Sequence, residues 1–354
     1  MFDIVLSFIT SFLLTYLAIP SIIQISAKKA LFSEPDHRTS HFHQVPALGG
    51  VAIFTGVLFS IIMWTPFKYF GDLQYILCAF IILFMIGVKD DIDPVSPGLK
   101  FIAQLIAAFI LVFKAQIRIT TLYSIFGVGD LPYWLSIVLS VAIIVFIINS
   151  FNLIDGINGL AGMISIISSF VFGFWFYLVG RMELTVIAIS LIGALLPFLK
   201  FNFSPAKLFM GDTGSLLIGL TASILAIQFV EYNKMLIDSE YYVSSAPAIA
   251  IAILIIPVYD TIRVFFLRLI KGHSPFRADK KHIHHLFLEV GFSHMQTTFV
   301  LSAINILFII FAFKFNHLGS LILFLITFGM ALIIFGFLRF LPKKLHLDQT
   351  NAKN

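Results

Sequence analysis

The chain has 354 residues and a formal net charge of +5, with 59 % hydrophobic and only 12 % charged residues. A soluble domain is roughly 45–50 % apolar and about 25 % charged, so this chain cannot cover a globular surface with polar groups, and a soluble enzyme is excluded. Its 41 phenylalanines exclude disorder as well, which leaves a polytopic membrane protein.

The apolar stretches are continuous, as in "IIMWTPF" and "IAILIIPV". That predicts helices rather than a barrel, whose strands alternate between lumen and lipid. A helical span needs about 20 apolar residues. Eleven segments approach that length, with cores beginning near Ile4, Leu48, Gln74, Leu99, Pro132, Leu160, Glu183, Gly211, Ser245, Thr298 and Gly319. The third and seventh read as short, so the expected architecture is an all-α membrane bundle of about 10–11 transmembrane helices. Residues 1–341 form one integral membrane domain and 342–354 a basic, polar tail. The start, "MFDIVLSFITSFLL", lacks a basic n-region and a small-residue cleavage site, which predicts a retained first helix. The single cysteine, Cys78, lies in an apolar run and makes no intrachain disulfide.

Lys and Arg stay on the cytoplasmic side of short loops. With the N-terminus outside and eleven alternating spans, 17 of the 23 Lys and Arg fall inside, and the C-terminus is cytoplasmic. Five polar motifs then share that face: "SEPDHRTSHFHQVPALGG", "KDDIDP", "NSFNLIDGINGL", "KFNFSPAKLFMGDTGS" and "RADKKHIHH".

In chain order, Asp90 and Asp91 come first, at a helix end beside the hydrocarbon boundary. A carboxylate in a span costs about 2.5–3.5 kcal/mol on insertion scales. A retained pair therefore asks for a cation, although two adjacent loop charges also occur without one. Asn152, Asp155 and Asn158 recur every three residues. On a helix they would share one face, either as a polar packing seam or as site residues, with Gly156 and Gly159 permitting a break between two half-helices. "GDTGS" reads as a helix start with Asp212 as its N-cap. The same terminus could hold a cation beside a phosphate. His282, His284 and His285 follow Lys280 and Lys281. No cysteine accompanies these histidines, so a zinc site is disfavoured, and an interfacial basic rim competes with a catalytic role.

Taken together, these motifs resemble the polyprenyl-phosphate N-acetylhexosamine-1-phosphate transferases (glycosyltransferase family 4, similar to the undecaprenyl-phosphate GlcNAc-1-phosphate enzymes). "PDHRTSH…VPALGG", the Asp-Asp pair, "NSFNLIDGINGLAG", "FNFSPAKLFMGDTGS" and "SPFRADKKHIHH" occur in the family's order from Pro35 to about Gln296. The resemblance implies transfer of an N-acetylhexosamine 1-phosphate, GlcNAc-1-phosphate above all, from the UDP-sugar to undecaprenyl phosphate. UMP is released, and the reaction is the first membrane step of a cell-surface polysaccharide pathway. It also implies Mg²⁺ (with Mn²⁺ as a substitute), a bacterial inner-membrane location and a site facing the cytoplasm. Membrane lipid is a further partner, nucleic acid is not, and a homodimer is left open.

By the same resemblance Asp212 and Asn152 hold the metal. Asp90, Asp91, Asp155 and the histidines 282, 284 and 285 take catalytic places. Lys100, Gly156, Asn158, Asn202, Phe209, Arg268 and Arg277 contact substrate, with Lys100 on the diphosphate and Phe209 on uracil. Many bacterial members carry Asp where this chain has Asn158. The run His282-Ile283-His284-His285 resembles the branch that uses simple UDP-N-acetylhexosamines, and the UDP-MurNAc-pentapeptide phosphotransferase of peptidoglycan synthesis is the alternative within the family. A secondary transporter is the alternative from another class. It would carry its polar groups near the bilayer midplane, whereas these motifs lie at segment ends. A CDP-alcohol phosphotransferase would need a dense Asp-rich helix motif that is absent here.

Overall fold

The computed structural model describes residues 2–29, 45–125, 127–270, 272 and 282–338. Thirteen α-helices carry the fold: α1 (Phe2–Lys28), α2 (Gly49–Trp64), α3 (Phe70–Ile92), α4 (Pro97–Phe113), α5 (Tyr133–Ile154), α6 (Leu160–Leu178), α7 (Met182–Asn202), α8 (Gly211–Asn233), α9 (Ala246–Ile253), α10 (Ile255–Ile270), α11 (Ile283–Val290), α12 (His294–Lys314) and α13 (Ser320–Phe337). Among the described residues, eight helices are long and apolar enough to cross a membrane, and the bent pair α9–α10, taken as one span, makes nine. α2 and α4 are shorter apolar helices. The eleven expected segments are thus all helical, and the chain is a multi-pass membrane protein.

The side-chain distribution on α1 shows the environment. Ser7, Ser11, Thr15 and Ile19 form a fully buried row, while Val5, Ile9, Leu13 and Leu17 are exposed. Large apolar groups outside and small polar ones inside reverse the soluble pattern. Lipid accepts the former, and small residues let helices approach closely. Ser11 Oγ donates to the Ser190 carbonyl of α7 at 2.7 Å, and Thr15 Oγ1 to the Ala52 carbonyl of α2 at 3.3 Å. α8 is the central post, almost wholly enclosed, with α2, α3, α5 and α6 packed around it.

α9 and α10 meet at an 85° bend. Pro257 has no N–H to give the Ile253 carbonyl four residues back. Asn305 Nδ2 of α12 donates to that carbonyl instead, at 3.1 Å, as a bilayer interior requires.

The expected segment lengths need correction. The third and seventh segments are not short: α3 has 23 residues and α7 has 21, because both helices continue through their polar ends. The short ones are α2 and α4, with 16 and 17 residues. A short antiparallel hairpin, β1 (Thr121–Ile125) with β2 (Val128–Asp130), lies between α4 and α5 of the otherwise all-α bundle. The basic segment after α10 ends in an amphipathic helix, α11, whose N-cap is His282. The sequence from Pro35 to His41, Arg277, Lys280, Lys281 and the 342–354 tail lie outside the described residues.

Candidate active site

One end of the bundle gathers the C-terminal ends of α3, α5 and α7 with the N-terminal ends of α2, α4, α6, α8 and α12. The turn from α3 to α4 is short and self-closed. Asp90 Oδ1 accepts the Val95 N–H at 2.8 Å, and Ser96 caps α4 with Pro97 behind it. That places Lys100 one turn into α4. Its Nζ donates to Asp90 Oδ2 at 2.6 Å and to Asp212 Oδ2 at 2.7 Å.

Asp212 is not the N-cap of α8. The cap position is Met210, which has helical φ and ψ and no capping side chain. The capping acceptor comes instead from another helix. Asp91 Oδ1 accepts the Asp212 N–H at 2.7 Å, and Asp91 Oδ2 accepts the Thr213 N–H at 3.0 Å and the Thr213 hydroxyl at 2.5 Å. A carboxylate at a helix N-terminus meets both the orphan donors and the positive end of the dipole. Gly211 makes the approach possible. It has φ +71°, and a Cβ there would collide with the Ala47 carbonyl and both Asp91 oxygens. The "VPALGG" segment lies alongside: Phe209 N–H donates to the Pro46 carbonyl at 2.8 Å, and Gly49 and Gly50 N–H donate to the Phe209 and Met210 carbonyls.

Asn152, in the last turn of α5, donates through Nδ2 to Asp212 Oδ1 at 3.1 Å and to Ser215 Oγ at 2.8 Å. The helix stops at Ile154, so Asn152, Asp155 and Asn158 do not share one helical face. Asp155 is the C-cap and partly exposed. Burial of its carboxyl holds its pKa well above the usual range, and the charges of Asp212 and Asp91 add to this. Asn158 lies in the turn beyond, buried, and donates to Ser204 Oγ at 2.9 Å. Asn202 spends its whole amide on the scaffold: Oδ1 accepts the Gly159 N–H at 2.6 Å, and Nδ2 donates to the Leu208 carbonyl at 2.9 Å.

The histidines arrive from the far side. His282 and His284 are buried, with parallel rings 5.7 Å apart. His284 lies against Gly156, where an added Cβ would sit 2.6 Å from its Nε2. Burial first, then neighbouring His285, holds the His284 pKa down to about 3, so its imidazole is neutral at physiological pH. Arg268 is buried at the end of α10. Asp260 of α10, which sequence reading missed, is 1 % exposed and faces His282 Nδ1 at 2.8 Å. A lone Asp in an apolar helix was the available signal.

Oxygens of Asp90, Asp91 and Asp212 lie within 4.8 Å of one another. Hard carboxylate oxygens suit Mg²⁺, and the Lys100 ammonium shows that the gap between Asp90 and Asp212 takes a cation. The donor set therefore fits a divalent ion. Asp91, with three donors on its two oxygens, is the least available ligand of the three.

The description "Glycosyl transferase family 4" matches residues 73–230. A Yersinia pestis protein is 31 % identical over 281 residues, which is 77 % of this chain and 73 % of that protein. A Bacillus subtilis relative is 32 % identical over 316 residues, 88 % of this chain and 85 % of its own length. The chain belongs to glycosyl transferase family 4. The family-4 match runs from the first turn of α3 to the last turn of α8 and so contains Asp90, Asp91, Lys100, Asn152, Asp155 and Asp212. The Yersinia protein and a Salmonella typhi one, 29 % identical over 93 % of this chain and 89 % of its own, are both named undecaprenyl-phosphate alpha-N-acetylglucosaminyl 1-phosphate transferase.

Proposed function

We propose that this family-4 protein transfers GlcNAc 1-phosphate from UDP-GlcNAc to undecaprenyl phosphate and releases UMP, at the cytoplasmic face of a bacterial inner membrane. The observation that carries the reading is the acidic cluster of Asp90, Asp91 and Asp212, bridged by Lys100 at the end of a lipid-exposed bundle. The names of the relatives supply the substrates, and the asymmetry of Lys and Arg along the sequence supplies the leaflet. A cytosolic nucleotide and a bilayer-embedded acceptor can meet only at such a boundary.

Both reactants are anionic, so charge and positioning are the main barriers. Asp212, Asp90 and the amide of Asn152 would hold Mg²⁺, which screens the diphosphate when bound. Lys100 moves from its two carboxylates to the diphosphate. Asp155 borders the cluster, where burial and the charges of Asp212 and Asp91 raise its pKa and so weaken its repulsion of an incoming phosphate. Asp91 fixes the α8 terminus and with it the position of Asp212. Phe209 stacks on uracil, while Asn158 and Asn202 shape the turn that frames the base. An oxygen of the lipid phosphate attacks the β-phosphorus in line; a new P–O bond forms and the bond to the UMP oxygen breaks. A phosphate is already a competent nucleophile, so no phospho-aspartate is needed.

The test is a membrane assay with undecaprenyl phosphate and a panel of UDP-sugars, following UMP and lipid-linked product with and without EDTA. UDP-GlcNAc-dependent product that EDTA abolishes is expected. Turnover with UDP-MurNAc-pentapeptide alone would move the protein to the peptidoglycan branch, and labelled phosphate trapped on an aspartate would overturn the single displacement.

A further inference from the structure

Asp260 sits inside α10 and is 1 % exposed. A carboxylate so buried is costly unless every oxygen is met. Its partners come from two directions. On its own helix, Arg263 Nη1 donates to Oδ1 at 3.1 Å. From the start of α11, the Ile283 N–H donates to Oδ1 at 2.8 Å, and His282 Nδ1 lies 2.8 Å from Oδ2.

This repeats the device at α8, where Asp91 of one helix caps another. The difference is that Asp260 also holds an imidazole. A carboxylate only accepts, so His282 Nδ1 carries the proton and Nε2 is left as the nitrogen available to a ligand. The contact extends further. His284 stacks on His282 and abuts Gly156, next to Asp155. Asp260, His282, His284 and Gly156 therefore form one continuous contact from α10 to the loop after α5.

We propose that Asp260 is a positioning residue for the transfer reaction: it fixes the tautomer of His282 and docks the His282–His285 segment on the Gly156 loop, so that the imidazoles face the transferred sugar phosphate. The proposal rests on the transferase reading above. Asp260 touches no reactant; it acts through His282. Asp260→Asn leaves an acceptor for the Ile283 N–H but turns an amide donor toward Nδ1, which moves the imidazole proton to Nε2.

The experiment measures kcat and KM for the UDP-sugar in membranes carrying wild type, Asp260→Asn, Asp260→Glu, His282→Gln and the Asp260→Asn/His282→Gln double variant. Loss of the carboxylate behind a metal-ligating histidine costs about 10–100-fold, and a loss of that order is expected in kcat for Asp260→Asn with KM changed less. Asp260→Glu should recover part of it. In the His282→Gln background, Asp260→Asn should add little. The proposal is overturned if Asp260→Asn keeps wild-type kcat, or if the two single losses multiply in the double variant. Should Asp260→Asn fail to accumulate, a His282→Gln protein with wild-type kcat overturns it equally. Inactive wild-type membranes across the whole UDP-sugar panel would remove the transferase reading first and this proposal with it.

Discussion

The two ends of the bundle handle charge in opposite ways. At the end away from the site, acidic groups find cations close by in sequence. Arg181 Nε meets Glu183 at 2.6 Å and stacks over Tyr232, and Lys234 meets Glu231 at 2.7 Å. Glu231 also accepts the Thr120 N–H at 2.7 Å and so anchors the strand that leads into the hairpin. A cleft of about 280 Å³ there is lined by Lys68, Asp72, Arg181, Glu183 and Gln228, and its charges balance. At the site end, Asp90, Asp91 and Asp212 converge from α3 and α8, and among the described residues Lys100 is the one cation bridging Asp90 and Asp212. Two like charges about 5 Å apart repel by about 3 kcal/mol at an effective dielectric of about 20. Such an excess, kept at one end while the other is neutralised, is what the proposed cation and charged substrate would use. The pairs at the far end are local in sequence, whereas the cluster is closed by the long-range Lys100–Asp212 contact.

The sharpest test of that contrast is Asp212→Asn. It should lower turnover by about 10²–10³-fold, the range seen when one electrostatic contact to a reacting group is removed, while the protein still inserts. Near-normal UMP release would remove Asp212 from the metal site. Next comes Lys100→Met, which strips the bridging charge. We expect a drop of about 10²-fold and tighter apparent Mg²⁺ dependence of the remaining activity, measured by metal titration of turnover. An unchanged metal titration would mean that Lys100 and the ion do not share the cluster.

Asp91→Ala separates capping from chemistry. It orphans two N–H groups and a hydroxyl, which costs about 1–3 kcal/mol, so the thermal midpoint in detergent should fall along with activity. Asp90→Ala should lose activity with a smaller change in midpoint. Equal melting of the two variants would argue against the cap. The smallest effect is expected at the opposite end. Arg181→Ala breaks a part-exposed pair worth about 0–1 kcal/mol, and kcat should stay within about twofold; a large kcat loss would break the division between the two ends.

Much of this was legible before any coordinates. Continuous apolar runs dictated helices because backbone groups in lipid have no other partners, and all eleven segments are helical. The clustering of polar motifs at segment ends anticipated that Asp90, Asp91, Asp155 and Asp212 would converge. What periodicity and spacing could not supply was direction. Asp212 followed by Thr-Gly-Ser has every local mark of an N-cap, yet the cap comes from Asp91, 121 residues earlier. Asn202 suggested a ligand contact, yet its amide joins Gly159 to Leu208. Asp260 carried no motif at all, because its histidine partner is 22 residues away in sequence.

The sequence by itself therefore determined the solvent of this protein, its helices and the face on which its unusual polar groups collect, since each follows from local transfer free energies. The tertiary structure alone decided which carboxylate is a cap, which two share the Lys100 ammonium and which pairs with a histidine. Those roles depend on helix ends brought to within 3 Å by packing, and no local propensity encodes which donor a given oxygen will meet.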